Sequence, residues 1–258
     1  MSLDSLDKAL RILGCYSLQQ PEWGVTELSR HLGLHKSRVH RALTVMEQRG
    51  FLKKNQANSR YRLGLKLFEL GMVAERNFDL KREARPLMLE LSRKTGATVL
   101  LRVKDEKEIV VIEVVESTSP LRLVKSVGAR DPCSYGAAGK LFLAFISEDE
   151  VRATLGDLKL DKHTARSITD REKLKKELRA IKKQGYAFSD EEAVRGVRAI
   201  AVPVLTDAGE LIAALSVGLP KEELPLDKVS ELVALAKEKA AEISLALRLM
   251  KNKNSLVL

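Results

Sequence analysis

Seven side chains between positions 36 and 48 carry groups suited to gripping a polyanion: Lys36, Ser37, Arg38, His40, Arg41, Thr44 and Gln48. Interleaved with them, Val39, Ala42, Leu43 and Met46 fall at the i, i+3, i+4, i+7 spacing of one buried helical stripe, which leaves the polar set together in solvent. An arginine can hold guanine O6 and N7 through two parallel hydrogen bonds, while Lys, Ser and Thr reach phosphates or single base acceptors. Such a face suits the major groove of double-stranded DNA. A second set, Cys133 with His163 and an acid such as Asp131 or Asp161, holds the residue types of a nucleophile and its base. No motif fixes their geometry, and His163 lies in a polar stretch of surface character, so no catalytic residue is assigned and no enzyme is expected.

The elements that must position the first set are legible on either side of it. Gly24 stands at a helix N-cap with Glu27 three residues on, a capping box in which the glycine supplies no side-chain oxygen. Leu28 and Leu32 face one way, and Gly33 can close that helix in the left-handed conformation. A short turn at residues 34–35 leads to the helix bearing the polar face, which Gly50 closes. A basic hairpin follows, residues 51–54 and 60–63 around a polar turn, with Leu52, Tyr61 and Leu63 expected inward. Lys54, Asn58 and Arg60 are left for the DNA backbone. Leu6, Ala9, Leu10 and Leu13 mark an earlier amphipathic helix that completes a three-helix core. Together these elements predict a winged helix-turn-helix over residues 1–63.

Charge distribution agrees with that reading. The chain has 258 residues, 45% of them apolar, and a formal charge of +10. Residues 1–63 hold 11 Lys+Arg against 5 Asp+Glu, a net +6, and the remaining 195 residues share only +4. A basic module beside a nearly balanced one points to a polyanion bound by one domain. No apolar run approaches the ~20 residues of a membrane span, and the chain opens on an amphipathic helix with no charged-then-apolar leader, so a cytoplasmic protein is expected. Cys15 and Cys133 form no disulfide framework, and no cluster has zinc spacing, so neither metal nor cofactor is expected.

Residues 64–78 read as a linker helix whose Leu65, Leu67, Phe68, Leu70, Met72 and Val73 are too apolar for solvent and should pack against a second subunit, with a break at residues 77–79. Residues 79–250 read as a second domain, with a tail at 251–258. Its expected helices cover residues 80–94, 134–146, a stretch from about 148, 170–184 and 225–250; its strands cover 98–103, 109–116, 121–126, 199–206 and 211–217. Strands in hairpin-connected pairs with helices around them predict an α+β fold on an antiparallel sheet.

Over almost its whole length the chain resembles the IclR family of bacterial transcriptional regulators. The resemblance rests on LDKALRIL, TELSRHLGLHKSRVHRAL, RYRLGLKLFELG, AAGKLFLAF, ITDREKLKKELRAIKKQGYAFSDEE, and GVRAIAVPV followed by AALSVGLP, in that order. It implies a winged-helix domain joined by a helix to a GAF-like domain that binds a small effector. It also implies a homodimer or dimer of dimers on a palindromic operator. The family's effector pocket, carried over position by position, falls on Tyr135, Ala137, Ala138, Gly139, Ser189, Asp190, Val197, Ala199, Ser216 and Gly218. Three of these depart from the family pattern: Ser189 replaces a frequent acid, Ala199 a common cysteine, and Gly218 the second serine of SxS. Fewer polar groups imply a more apolar, roomier pocket, suited to an aromatic or larger ligand. A carboxylate on that ligand could rest on the helix start at residues 136–139, where free N–H groups and the positive dipole end meet. Arg102, at a strand position where relatives tend to be small or apolar, could add a fork to that carboxylate, although solvent is its more ordinary place. An architectural DNA-binding protein without a ligand would explain residues 1–63 but gives no reason for the second domain; a Cys-dependent hydrolase is the remaining alternative.

Overall fold

Periodic apolar residues separated by glycine and polar turns set the first seven elements: α1 (Leu3–Leu13), β1 (Glu22–Trp23), α2 (Val25–Leu32), α3 (Lys36–Gln48), β2 (Leu52–Lys54), β3 (Tyr61–Leu63) and α4 (Leu65–Arg76). The computed structural model describes residues 3–17, 19–76, 79–157 and 160–255, and divides into two units, Met1–Phe78 and Asp79–Leu258. In the first unit β1, β3 and β2 form a small antiparallel sheet, with Trp23 opposite Tyr61 and Leu52 opposite Leu63. Gly24 caps α2 with its N–H donated to the Glu27 carboxylate at 3.0 Å, and Gly33 ends the helix at φ 65°. Ile12, Leu28, Val39, Leu43, Met46, Leu52 and Tyr61 form the core.

Two expectations for this unit fail. The inward side of α1 is Ala9, Ile12 and Leu13, whereas Leu6 and Leu10 are more than half exposed. Both sets satisfy helical spacing, and only the last turn of α1, with Cys15 and Tyr16 after it, reaches the core. Leu63 shares the inward parity of Tyr61, yet it ends a three-residue strand just as the chain leaves for α4, and it stays half exposed. Along α4, Leu65, Phe68, Leu70, Met72 and Val73 are all exposed. The break expected at 77–79 falls partly on residues 77 and 78, outside the described residues.

The second unit runs α5 (Asp79–Thr95), β4 (Thr98–Asp105), β5 (Glu108–Val115), β6 (Arg130–Pro132), α6 (Gly136–Phe145), α7 (Glu148–Asp157), α8 (Arg171–Gln184), β7 (Ala187–Asp190), β8 (Val197–Leu205), β9 (Leu211–Pro220), a 3-10 turn (Leu226–Lys228) and α9 (Val229–Ser255). The six strands form one antiparallel sheet in the order β6-β5-β4-β9-β8-β7. This is the α+β class the strand pairing implied. Because side chains alternate across a strand, Ile200, Val202 and Val204 meet α5 and α9 on one face, while Ala201 and Ala214 meet α6 and α8 on the other. The small residues of the second face let α6 approach closely; a Cβ on Gly139 would collide with the Cys133 carbonyl.

Residues 121–126 are not a strand. The alternation that suggested one is real, but the Leu123 carbonyl accepts from the Thr98 hydroxyl at 2.9 Å, not from a neighbouring strand, and Leu121, Val124 and Val127 are exposed. The strands that complete the sheet's edges, β6 and β7, are only three and four residues long, too short to show a period. The last helix continues to Ser255, five residues into the expected tail.

Candidate DNA interface and ligand cavity

On α3 the buried stripe sets the opposite face outward, as alternation at 3.6 residues per turn demands. Lys36, Ser37, His40, Arg41, Thr44 and Gln48 line one shallow surface together with Val25 and Val45; Arg38 is exposed to one side of it. No polar side-chain partner engages Lys36, Arg38 or Arg41 among the described residues, so their charge is unspent. Thr44 donates its hydroxyl to the His40 carbonyl at 2.9 Å, keeping its acceptor lone pairs outward.

The wing is less free than its sequence suggests. Arg60, left for phosphate on sequence grounds, is pinned to Glu27 at 2.9 and 2.7 Å and donates to the Glu22 carbonyl at 3.0 Å. Asn58 likewise bonds Glu22 at 3.0 Å while its oxygen takes the Arg60 N–H. These two residues fasten the hairpin to α2 and β1. The Gly24 N–H and the Arg60 guanidinium together hold the Glu27 carboxyl below its ordinary pKa. Lys54 leans over the Tyr61 ring at 5.8 Å, and among the three wing residues its charge is the one not spent in an ion pair.

In the second unit β4, β8 and β9 place their small or polar residues on the face that α6 covers, and a cavity of about 40 Å³ opens at the start of α6. Tyr135, Ala137, Ala138, Ser189, Val197, Ala199, Ser216 and Gly218 all line it. Gly139 and Asp190 do not: Gly139 packs on Cys133, and Asp190 is spent on Arg198 at 2.6 Å and on Arg166. The space expected from Gly218 is filled, because a Cβ there would stand 2.7 Å from Leu123 Cδ2. Leu100, Leu123, Lys125, Ala193 and Val194 complete the wall. Leu100 was within reach of the strand period; the others sit in irregular segments that carry no such signal.

Arg102 is the largest departure from expectation. It is 8% exposed and lines the cavity, its alternation with Leu100 setting it on that face. Its Nε and the Ser216 hydroxyl are buried without a hydrogen-bond partner among the described residues. Asp131 stands 4.0 Å from a terminal guanidinium nitrogen but gives both its oxygens to Lys125, at 2.7 and 3.0 Å. Burial pulls the Arg102 pKa below the ordinary arginine value, and Asp131 opposes that pull. Burial likewise raises the Tyr135 phenol, whose hydroxyl donates to the Ala193 carbonyl at 2.8 Å. Farther along α6, Lys140 is 1% exposed and donates to Phe188 O, Glu192 and Glu177 at 2.7, 2.8 and 3.2 Å. That triple contact holds α6, α8 and the segment bearing Ala193 and Val194 in one arrangement.

Cys133, His163 and Asp131 of the hydrolase alternative each have another neighbour. Cys133 is fully buried in the core beneath α6, and burial pushes its thiol up to about 11. His163 meets the Tyr135 ring edge-on at 4.5 Å, and Asp131 holds Lys125.

A family model described as the IclR helix-turn-helix domain matches residues 5–56, and one described as bacterial transcriptional regulator IclR C-terminal matches residues 72–245. The HTH-type transcriptional regulator KdgR of Escherichia coli is 37% identical over 243 residues, 93% of this chain and 92% of its own. Among solved structures, a transcriptional regulator from Alicyclobacillus acidocaldarius superposes with a TM-score of 0.84 at 29% identity, covering 95% of this chain and 99% of that one. An IclR homolog from Microbacterium hydrocarbonoxydans, crystallised with 4-hydroxybenzoate, gives 0.83 at 25% identity over 95% and 99%.

A thiol with a pKa of about 11 is only about one-thousandth ionised at pH 8. Ellman's reagent at that pH should therefore titrate the half-buried Cys15 in the folded chain and reach Cys133 only on denaturation. Two thiols reacting at comparable rates in the folded protein would refute the buried assignment.

Proposed function

Because this chain belongs to the IclR family of bacterial transcriptional regulators, we propose that it binds a palindromic operator through α3 under the control of a small organic acid held in the cavity beside α6. The observation that carries the ligand is the pair of buried, unpartnered polar groups, Arg102 Nε and Ser216 Oγ, on the cavity wall. An unsatisfied buried group costs about 1–3 kcal/mol, more when charged. An architectural protein with no ligand would keep that cost for nothing. The relative crystallised with 4-hydroxybenzoate supports a ligand in this fold. Its aromatic character does not transfer readily: a cavity of about 40 Å³ holds a few water-sized groups, whereas benzene occupies engineered cavities of ~150 Å³. A compact acid fits the wall as it stands, and an aromatic one requires Leu123 or the segment of Ala193 and Val194 to move.

On the DNA side, Arg41 reads a base edge, with Lys36, Ser37, Arg38, His40 and Thr44 around it, and Lys54 meets phosphate. The exposed apolar row of α4 pairs with a second copy, which sets two recognition helices on the two halves of an inverted repeat. Arg41→Ala should then cost about 1–3 kcal/mol on the specific site and relax preference at one position per half-site. Lys54→Ala should weaken all sequences alike and reduce the salt slope by about one. Mobility shifts on operator and random duplexes separate the two; an equal loss on both duplexes for Arg41→Ala removes its base-reading role. Sedimentation should give a dimer or larger species that Phe68→Asp dissociates, and an unchanged profile would free α4 from this role. Ala199→Phe, which fills the cavity, should abolish the ligand response of operator binding while leaving ligand-free operator affinity intact. A retained response would place the ligand elsewhere.

A further inference from the structure

A guanidinium carries five N–H donors and no acceptor, so burying one demands anions or carbonyls around it. The wall that Arg102 shares is apolar apart from Lys125, Tyr135, Ser189 and Ser216 and holds no carboxylate among its lining residues; the nearest ion-pair partner, Asp131, stands 4.0 Å away. That carboxylate is already committed to Lys125 through both oxygens. The cavity wall therefore carries two cations, Arg102 and Lys125, with one carboxylate beside them, and the excess positive charge lies next to the free Nε. Ser216 stands on β9 opposite Leu100 on β4, and Arg102 is opposite Ala214, so the two unpartnered groups are diagonal neighbours on adjacent strands of one face. The N-terminal turn of α6 adds the residues Gly136, Ala137 and Ala138 to the same wall.

We propose that Arg102 is the anion receptor of this cavity and Asp131 its built-in competitor, so that the ligand is a compact carboxylate taken up by the guanidinium with a hydrogen bond from Ser216. This deepens the ligand-controlled reading above and rests on it. Two consequences have opposite signs. Removing Arg102 removes the charge that selects an acid over its neutral amide. Removing the charge of Asp131 leaves both cations unopposed and tightens the acid. A residue holding the fold without touching the ligand would not give this pair of effects.

The test is calorimetry on the full chain at fixed ionic strength with three acid and amide pairs: acetate and acetamide, lactate and lactamide, 4-hydroxybenzoate and 4-hydroxybenzamide. The wild-type chain should prefer acetate and lactate to their amides by about tenfold or more, the size expected of a hydrogen bond to a charged group. Arg102→Met, which keeps the side chain's length and apolar stem, should erase that preference, and Arg102→Lys should retain part of it. Asp131→Asn should strengthen acid binding. Equal affinity for acid and amide, no heat from any of the acids, an intact preference in Arg102→Met, or weaker acid binding in Asp131→Asn would each overturn the proposal. The same compounds added to an operator mobility shift separate the two levels. A compound that alters operator retention without favouring the acid form sinks the role of Arg102 and leaves ligand control standing. An acid that binds through Arg102 without altering operator retention does the reverse.

Discussion

The second unit is organised around a charge that the interior cannot leave alone. Lys140 is almost wholly buried, and an isolated ammonium at that depth costs several kcal/mol unless it is paired and hydrogen-bonded. Its three partners come from three places: Glu177 on α8, the Phe188 carbonyl on β7, and Glu192 in the segment between β7 and β8. Satisfying one ammonium therefore fixes the edge of the sheet and the approach of α6. It also fixes the height of Ala193 and Val194 over the cavity. Glu192 is strained by this arrangement in the opposite sense, since burial raises its carboxyl and Lys140 draws it back down. The small residues of the α6 face follow from the same demand, because an ammonium on that helix reaches β7 only if the backbones come close.

The two units spend their cations differently. Around the cavity nearly every charge is matched: Arg198 and Arg166 on Asp190, Lys221 on Glu191, Lys125 on Asp131. Among the described residues of that wall Arg102 is the exception, with its Nε unpartnered and its nearest carboxylate, Asp131, 4.0 Å away. On α3 the pattern inverts: among the described residues Lys36, Arg38 and Arg41 project without side-chain partners, while Arg60 is drawn back to brace the wing. Unspent charge on a rigid, braced scaffold is what long-range attraction to a polyanion requires.

The helices were legible in the sequence because their signal is local: a stripe such as Val39, Leu43 and Met46 repeats within one element, and glycine or Asp170 marks its ends. The hairpins β4–β5 and β8–β9 were legible for the same reason. What escaped were properties decided by partners far along the chain. Residues 121–126 have a strand's alternation, but their backbone is met by a threonine hydroxyl. Arg60 has the look of a phosphate contact until Glu27, 33 positions earlier, claims it. Of the ten positions carried over by resemblance, eight line the cavity and Gly139 and Asp190 do not, while its volume and its balance of charge depend on side chains from other segments. Arg102 was visible as a candidate from its strand position, but Leu123, which fills the space beside Gly218 from an irregular segment, carries no local signal.

Leu123 fills the space beside Gly218 without owning it. Its carbonyl is held by Thr98, so the backbone of that segment stays where it is whichever way the side chain turns. A larger residue at position 218 must displace the Leu123 side chain, and a smaller one at position 123 hands the space to whatever enters the cavity. The pair thus works as an exchangeable plug on a fixed frame. Variation at these two positions alone therefore reshapes the cavity around a frame that neither side chain builds, and it leaves the braced wing and α3, in the other unit, as they are.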